Sequence, residues 1–235
     1  MTKVLQVYGA FRSQPTRAVL WLLHLKAHPY KLIPTLPASR QPNGSRHPSF
    51  LSKFPTGVIP TIEDVDGYCL AESNAILTYL CTKYGWNNLY PYKDLSKQAK
   101  VDELLHWHHT NTRALTIGLL PLLNHKLAQG IPKDYLDVQA KVGLRALKQL
   151  EKRLELNQTR FLCGPDLSIG DMCVYGDVGQ ISPRFKMEKH VERIFGPSAL
   201  DFEKLPRVRS WMEEMEQVPE YDVIHQEFGS FVSKL

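Results

Sequence analysis

Residues 7–23, VYGAFRSQPTRAVLWLL, carry a strand end, a short loop and a helix start in one continuous stretch. The apolar strand ends at Tyr8. Pro15 marks the first helical turn, where its missing N–H is no loss and its φ already suits the helix. A strand running through a tight loop into a helix commits the start of the chain to an α/β layer. It also sets Ser13 at the mouth of that helix. First-turn N–H groups there lack intrahelical partners and the helix dipole favours an anion, so the loop suits a phosphate or a thiolate. Taken alone, the pattern is first that of an ordinary serine cap.

Further along, residues 15–27 read as a helix with Val19, Leu20, Leu22, Leu23 and Ala27 at its apolar positions, and Tyr30–Leu36 as a second strand. PASRQPNGSRHPS is a loop by composition, followed by a short helix from Ser49 to Phe54. Thr61–Glu63 and Tyr68–Leu70 form a hairpin around Asp66–Gly67. Glu72–Tyr84 is a helix with Ala75, Ile76, Tyr79 and Leu80 inward. This order describes an α/β sandwich and by itself fits several topologies. Residues 85–93, GWNNLYPYK, read as a linker. Beyond them strand signals stop, and helical patterns cover Leu95–Gln129, Pro132–Asn157, Ser168–Ile181 and Pro206–Val218. A second, all-helical domain is expected there. Ser168 and Asp171 have capping-box spacing, with Leu167 and Met172 where a hydrophobic staple would be, so Asp171 reads as structural rather than catalytic.

Composition narrows the function classes. With 43% hydrophobic and 23% charged residues, the 235-residue chain is an ordinary globular one. No apolar run reaches membrane-span length and MTKVLQVYGA lacks a signal-like core, which leaves the cytoplasm as the expected compartment and no membrane partner. The net charge of +5 is spread along the chain without the stripe that nucleic acid requires. Cys69, Cys81, Cys163 and Cys173 lack CxxC spacing and are expected as buried free thiols. In HWHH, His106 and His109 share a face, but no carboxylate or cysteine partner accompanies them, so no metal is expected.

SQPTRA, FPTGVIPTIED, GYCLAESNAILTYL, LYPYKDLSKQAKVDELLHWHHTNTR and LSIGDM, taken in order, resemble the cytosolic glutathione transferases, most closely the serine-type theta class. The likeness covers nearly the whole chain. It implies a thioredoxin-like α/β domain over residues 1–84, a linker over 85–93 and an all-α helical bundle over 94–235 that holds the acceptor pocket. It further implies a homodimer that uses glutathione as cosubstrate, without a cofactor, and adds the thiolate to a small electrophilic, mostly apolar acceptor.

A free thiol has a pKa of about 8.5, and each unit removed requires about 1.4 kcal/mol of preference for the anion. The resemblance assigns Ser13 the O–H···S⁻ donation. Tyr8 is the rival donor, since other classes place a tyrosine at the end of this strand. Ile59, made accessible by a cis bond to Pro60, would pair its backbone with the cysteinyl unit of glutathione. Ser73 would take the γ-glutamyl carboxylate and Glu72 its ammonium. The glycine end requires a basic residue from the irregular segment. His47 leads there, with Lys53 and Arg46 beside it. Val58 departs from the Lys or Gln that relatives often carry two residues before this proline. Arg113 matches an arginine reaching the site from the helical domain, and Phe11, Trp107 and Trp211 are expected at the acceptor pocket.

Two other readings stay open. Transferase-like modules of translation elongation factor gamma subunits carry a linker and another domain after the bundle, whereas this sequence stops at Leu235, which puts the enzyme first. A glutathione-dependent thiol reductase requires a cysteine where Ser13 stands. Glutathione-dependent peroxidase chemistry is compatible with Ser13.

Overall fold

The computed structural model describes residues 3–123 and 128–232. Its four strands are β1 (Leu5–Gly9), β2 (Tyr30–Pro34), β3 (Thr61–Glu63) and β4 (Cys69–Ala71), arranged β2-β1-β3-β4. β1 runs parallel to β2 and antiparallel to β3, and β3 pairs with β4 across a turn through Asp66 and Gly67, with Gly67 at φ +87°. The return strand begins one residue later than its apolar pattern suggests, at Cys69. Period-two alternation separates the faces. Leu5, Val7 and Ile62 are buried in the main core, whereas Tyr8 meets Phe50 and Phe54 edge-on from the other side.

Helices α1 (Gln14–Leu25) and α3 (Ser73–Lys83) pack into that core, and the short α2 (Pro48–Leu51) brings Phe50 to Tyr8. Gly9 is glycine for a steric reason: a Cβ there would lie 2.5 Å from Thr16 Cγ2, so no larger residue lets β1 approach the first turn of α1.

From Leu95 onward the regular elements among the described residues are helices: α4 (Leu95–Thr110), a π-helical turn (Leu115–Leu119) continuing into α5 (Leu120–Leu123), α6 (Lys133–Asn157), α7 (Ile169–Val178), α8 (Glu188–Phe195), α9 (Pro206–Glu216) and α10 (Tyr221–Val232). The architecture is a thioredoxin-like sheet layer followed by a helical bundle. Among the described residues no helix is long and apolar enough to cross a membrane.

The unbroken helical pattern expected over Leu95–Gln129 is interrupted. Asn111 Nδ2 donates to the Trp107 carbonyl at 2.8 Å, in place of a helical backbone donor, and its backbone leaves the helix at φ −122°, ψ −85°. The rest of that stretch includes residues 124–127, outside the described residues. Helices α8 and α10 lie outside the expected patterns altogether. The signal for α10 is Tyr221, Ile224 and Phe228, spaced onto one face and all buried.

Helix α1 joins the two layers. Six consecutive residues, Ala18 to Leu23, are buried, so the helix is enclosed on all sides. Every residue of α7 is also buried, and α7 packs along α1. At their contact a Cβ on Gly176 would lie 3.2 Å from the Gln14 carbonyl oxygen. Trp21 donates to the Pro219 carbonyl at 2.9 Å and meets Tyr175, Tyr221 and His225 edge-on.

The start of α7 is held by the capping box read from the sequence. Asp171 accepts from Leu162 N at 2.8 Å, Ser168 N at 3.0 Å, Ser168 Oγ at 2.6 Å and Trp211 Nε1 at 3.0 Å. This overturns the expectation for Trp211. At 1% exposure it is a core residue bonded to Asp171, because an indole N–H buried here requires an acceptor and the capping carboxylate supplies one.

Two stability predictions follow from these contacts. Asp171→Ala leaves several buried donors unpaired and should cost at least ~3 kcal/mol, a fall in Tm of roughly 6–12 °C for a chain of this size. Asp171→Asn, which keeps one acceptor oxygen, should recover part of it; differential scanning calorimetry compares the three proteins. His225 is buried, and burial, reinforced by Arg17, pulls its pKa down from 6.5 to about 3. The unfolded chain therefore takes up a proton near pH 6.5 that the folded protein refuses until about pH 3, and stability falls as pH drops through that window. Urea midpoints measured across it should decline less steeply in His225→Gln, which keeps an amide donor for the Tyr221 carbonyl but does not titrate.

Candidate active site

A cleft of about 190 Å³ opens where the sheet layer meets the helical layer. One wall comes from Gln14 and Pro15 at the start of α1, Val58, Ile59 and Pro60 before β3, and Glu72 and Ser73 at the start of α3. His108, His109 and Arg113, with Cys173 and Asp177 of α7, form the other.

Ser13 caps α1. Its backbone is extended (φ −80°, ψ 120°) and its Oγ accepts from Thr16 N at 3.4 Å. Accepting that bond leaves the hydroxyl its own proton to donate. Ser13 itself is not part of the cleft lining, but the next two residues are. The Ile59–Pro60 peptide is cis, as the resemblance implies. Among the described residues, the N–H and C=O of Ile59 make no backbone hydrogen bond.

Helix α3 differs from α1, α4 and α7 in having no side chain that caps its first turn, so its leading N–H groups stand open beside the cleft. Glu72 precedes it at φ +70°, a conformation costing a non-glycine residue about 1–3 kcal/mol. Buried Ser73 follows. Strain of this kind concentrates at ligand sites.

The helical wall is organised by Asp177, 1% exposed. Arg113 Nη1 donates to its Oδ1 at 3.2 Å, His108 Nδ1 lies 3.2 Å from its Oδ2, and Thr116 Oγ1 on the π-helical turn also donates to Oδ1. Gln180 links Thr116 to Gln14, so the network reaches back to the start of α1. Burial pushes the Asp177 carboxyl up, but His108, Arg113 and Thr116 outweigh it and hold the pKa below the ordinary carboxylate value. Asn74 Nδ2 donates to the Leu105 carbonyl at 2.8 Å and lies 3.0 Å from His109 Nε2. Burial, with the neighbouring His108, lowers the His109 pKa, so this imidazole is disposed to stay neutral.

The other expected site residues lie elsewhere. Tyr8 donates to Glu63 Oε2 at 3.0 Å, and Lys53 is paired with the same carboxylate. Burial and that bond raise the Tyr8 pKa, which disfavours a phenolate. His47 caps α2, accepting from Ser49 N at 3.3 Å. Phe11 and Trp107 are partly buried against the core and do not line the cleft. Among the described residues no group of three or more His, Cys, Asp or Glu side chains is placed to hold a metal. Within HWHH it is His108 that turns inward, and its partner is Asp177.

Asp177, Gln180, Thr116, Gln14 and Asn74 escaped the sequence reading. One signal was present. Asp177 is the one charged residue in the mostly apolar run MCVYGDVGQI, and a carboxylate on a fully buried helix requires partners.

Known proteins are similar to this chain in sequence and in fold. The family model of the glutathione S-transferase N-terminal domain matches residues 7–88, and that of the C-terminal domain matches residues 133–214. Glutathione S-transferase T3 of Arabidopsis thaliana is 31% identical over 94% of this chain, which spans only 36% of that relative's length. Human glutathione S-transferase theta-2 is 28% identical, with 90% of this chain and 80% of its own length aligned. The solved structure of human theta-2 in complex with glutathione and an unknown ligand superposes with a TM-score of 0.77 at 26% identity, covering 98% of this chain and 89% of the other. The two-layer fold agrees with these matches: the chain belongs to the glutathione S-transferase family and is similar to its theta-class members.

Proposed function

We propose that the protein is a serine-type glutathione transferase that binds glutathione in the cleft and ionises its thiol for attack on an electrophile. One observation carries the choice of donor. The Tyr8 phenol is committed to Glu63 on the far side of the sheet, whereas Ser13 caps the helix whose first residues line the cleft. A hydroxyl proton and first-turn N–H groups together favour a thiolate.

In this reading the Ile59 backbone pairs with the cysteinyl unit as a short added strand. The open N-terminus of α3 and Ser73 take the γ-glutamyl carboxylate, and Glu72 its ammonium. His47 takes the glycine carboxylate, since Lys53 is engaged by Glu63. Arg113, fixed by Asp177 and about one-third exposed, offers its remaining N–H groups to negative charge at the cleft. The acceptor lies beside the sulfur in the cleft. A homodimer acting on small electrophiles in the cytoplasm completes the proposal.

Ser13→Ala removes one hydrogen bond made preferentially to an anion, typically worth about 1.5–3 kcal/mol. Turnover at neutral pH should fall roughly ten- to hundredfold if thiolate formation limits the rate, with glutathione affinity nearly unchanged and partial rescue at high pH. Tyr8→Phe should have little effect. Steady-state rates with aryl halides, epoxides and hydroperoxides over a range of pH test the assignment. It is reversed if Tyr8→Phe cripples the enzyme and Ser13→Ala does not.

A further inference from the structure

Arg17 is buried at 1% exposure on α1, one turn beyond Ser13. Among the described residues no carboxylate pairs with it. Its guanidinium is solvated by backbone oxygens instead: Nη1 donates to the Phe11 carbonyl at 3.0 Å and the Arg12 carbonyl at 3.3 Å, and Nη2 to the Gly176 carbonyl at 3.2 Å. The Phe228 ring covers it, 4.8 Å from the guanidinium carbon. Among the described residues Nε has no hydrogen-bond partner. Burial pulls the pKa of this arginine down to about 10 even though the Asp177 charge favours the cation.

Such a group is an expensive way to join two helices. Taking a charge out of water without an ionic partner is costly, and α1 already docks through six apolar residues. What the guanidinium adds is geometry. Its planar fork reaches the carbonyls of the two residues immediately before Ser13 and, on another edge, the residue immediately before Asp177.

We infer that Arg17 is the positioning residue of the thiolate site: by tying the Phe11 and Arg12 carbonyls to that of Gly176, it holds the loop so that the Ser13 hydroxyl faces the glutathione sulfur. This rests on the serine-type reading above. Arg17 touches neither glutathione nor acceptor and acts through Ser13. Lysine cannot replace it, because a single ammonium does not span carbonyls on two edges of a plane.

The test titrates the ultraviolet thiolate band of glutathione bound to the wild type, Arg17→Lys, Ser13→Ala and the double variant, with Tm recorded for each. In Arg17→Lys the midpoint should rise by about one pH unit and kcat at neutral pH fall about tenfold, with KM for glutathione changed less than about threefold. In the Ser13→Ala background Arg17→Lys should produce no further rise, since the group it positions is gone. An unchanged midpoint with a lowered Tm makes Arg17 a structural tie and overturns the inference, as does an additive rise in the double variant. If Arg17→Lys does not fold, amide hydrogen exchange of the wild type decides. The Ser13 amide should be protected like the α1 interior, and exchange at open-loop rates overturns the inference. A wild type that binds no glutathione fails the functional reading itself, a different result from any of these.

Discussion

The enclosure of α1 governs the rest of the molecule. A helix with six consecutive buried residues cannot rotate or slide without opening both the sheet layer and the bundle, so its N-terminus is fixed by both. Everything chemical at the cleft is referred to that terminus. Ser13 caps it, Gln14 and Pro15 line the cleft, and α7 approaches it closely enough that Gly176 meets the Gln14 carbonyl. Close packing fixes the helix, and the Arg17 bonds to the Phe11, Arg12 and Gly176 carbonyls tie the loop before it to α7.

Around this apolar joint the protein places an unusual amount of buried polarity. Asp171 collects four donors and builds no site; it closes the start of α7. Asp177, six residues further along the same helix, collects Arg113, His108 and Thr116 and faces the cleft. The two carboxylates respond oppositely to their surroundings. For Asp171 burial prevails and its pKa rises, while for Asp177 the nearby cationic and donor groups prevail and it falls. An anion held at Asp177 keeps Arg113 directed along the cleft wall, so a buried carboxylate sets the charge that the cleft presents.

Tyr8 illustrates the limits of local reading. Its position near the end of β1 makes it a fair rival to Ser13, and the sequence does not show on which face of the sheet it emerges. Strand alternation sends Tyr8 to the α2 side, where Glu63 takes its proton donor and Phe50 and Phe54 take its ring. Trp211 and Asn111 make the same point. One was expected at a pocket and is bonded to a capping carboxylate in the core; the other ends a helix whose apolar period continues past it.

Read alone, the sequence determined what depends on neighbours within a few residues: the strand–loop–helix opening with its Ser13 cap, the Asp66–Gly67 hairpin, the capping box at Ser168 and Asp171, and the change from mixed to purely helical pattern after the linker. Backbone propensity, turn chemistry and hydrophobic period act over such distances. The ordered motifs also revealed the family, because they preserve a spacing that one fold requires. Tertiary structure alone decided which groups meet. Asp177, Arg113, His108, Thr116, Gln180 and Gln14 come from four separate segments, and the bonds among them follow from how α1, α4, the π-helical turn and α7 pack. A buried carboxylate announces in the sequence that it requires partners, but which partners it receives is settled by packing across the whole chain.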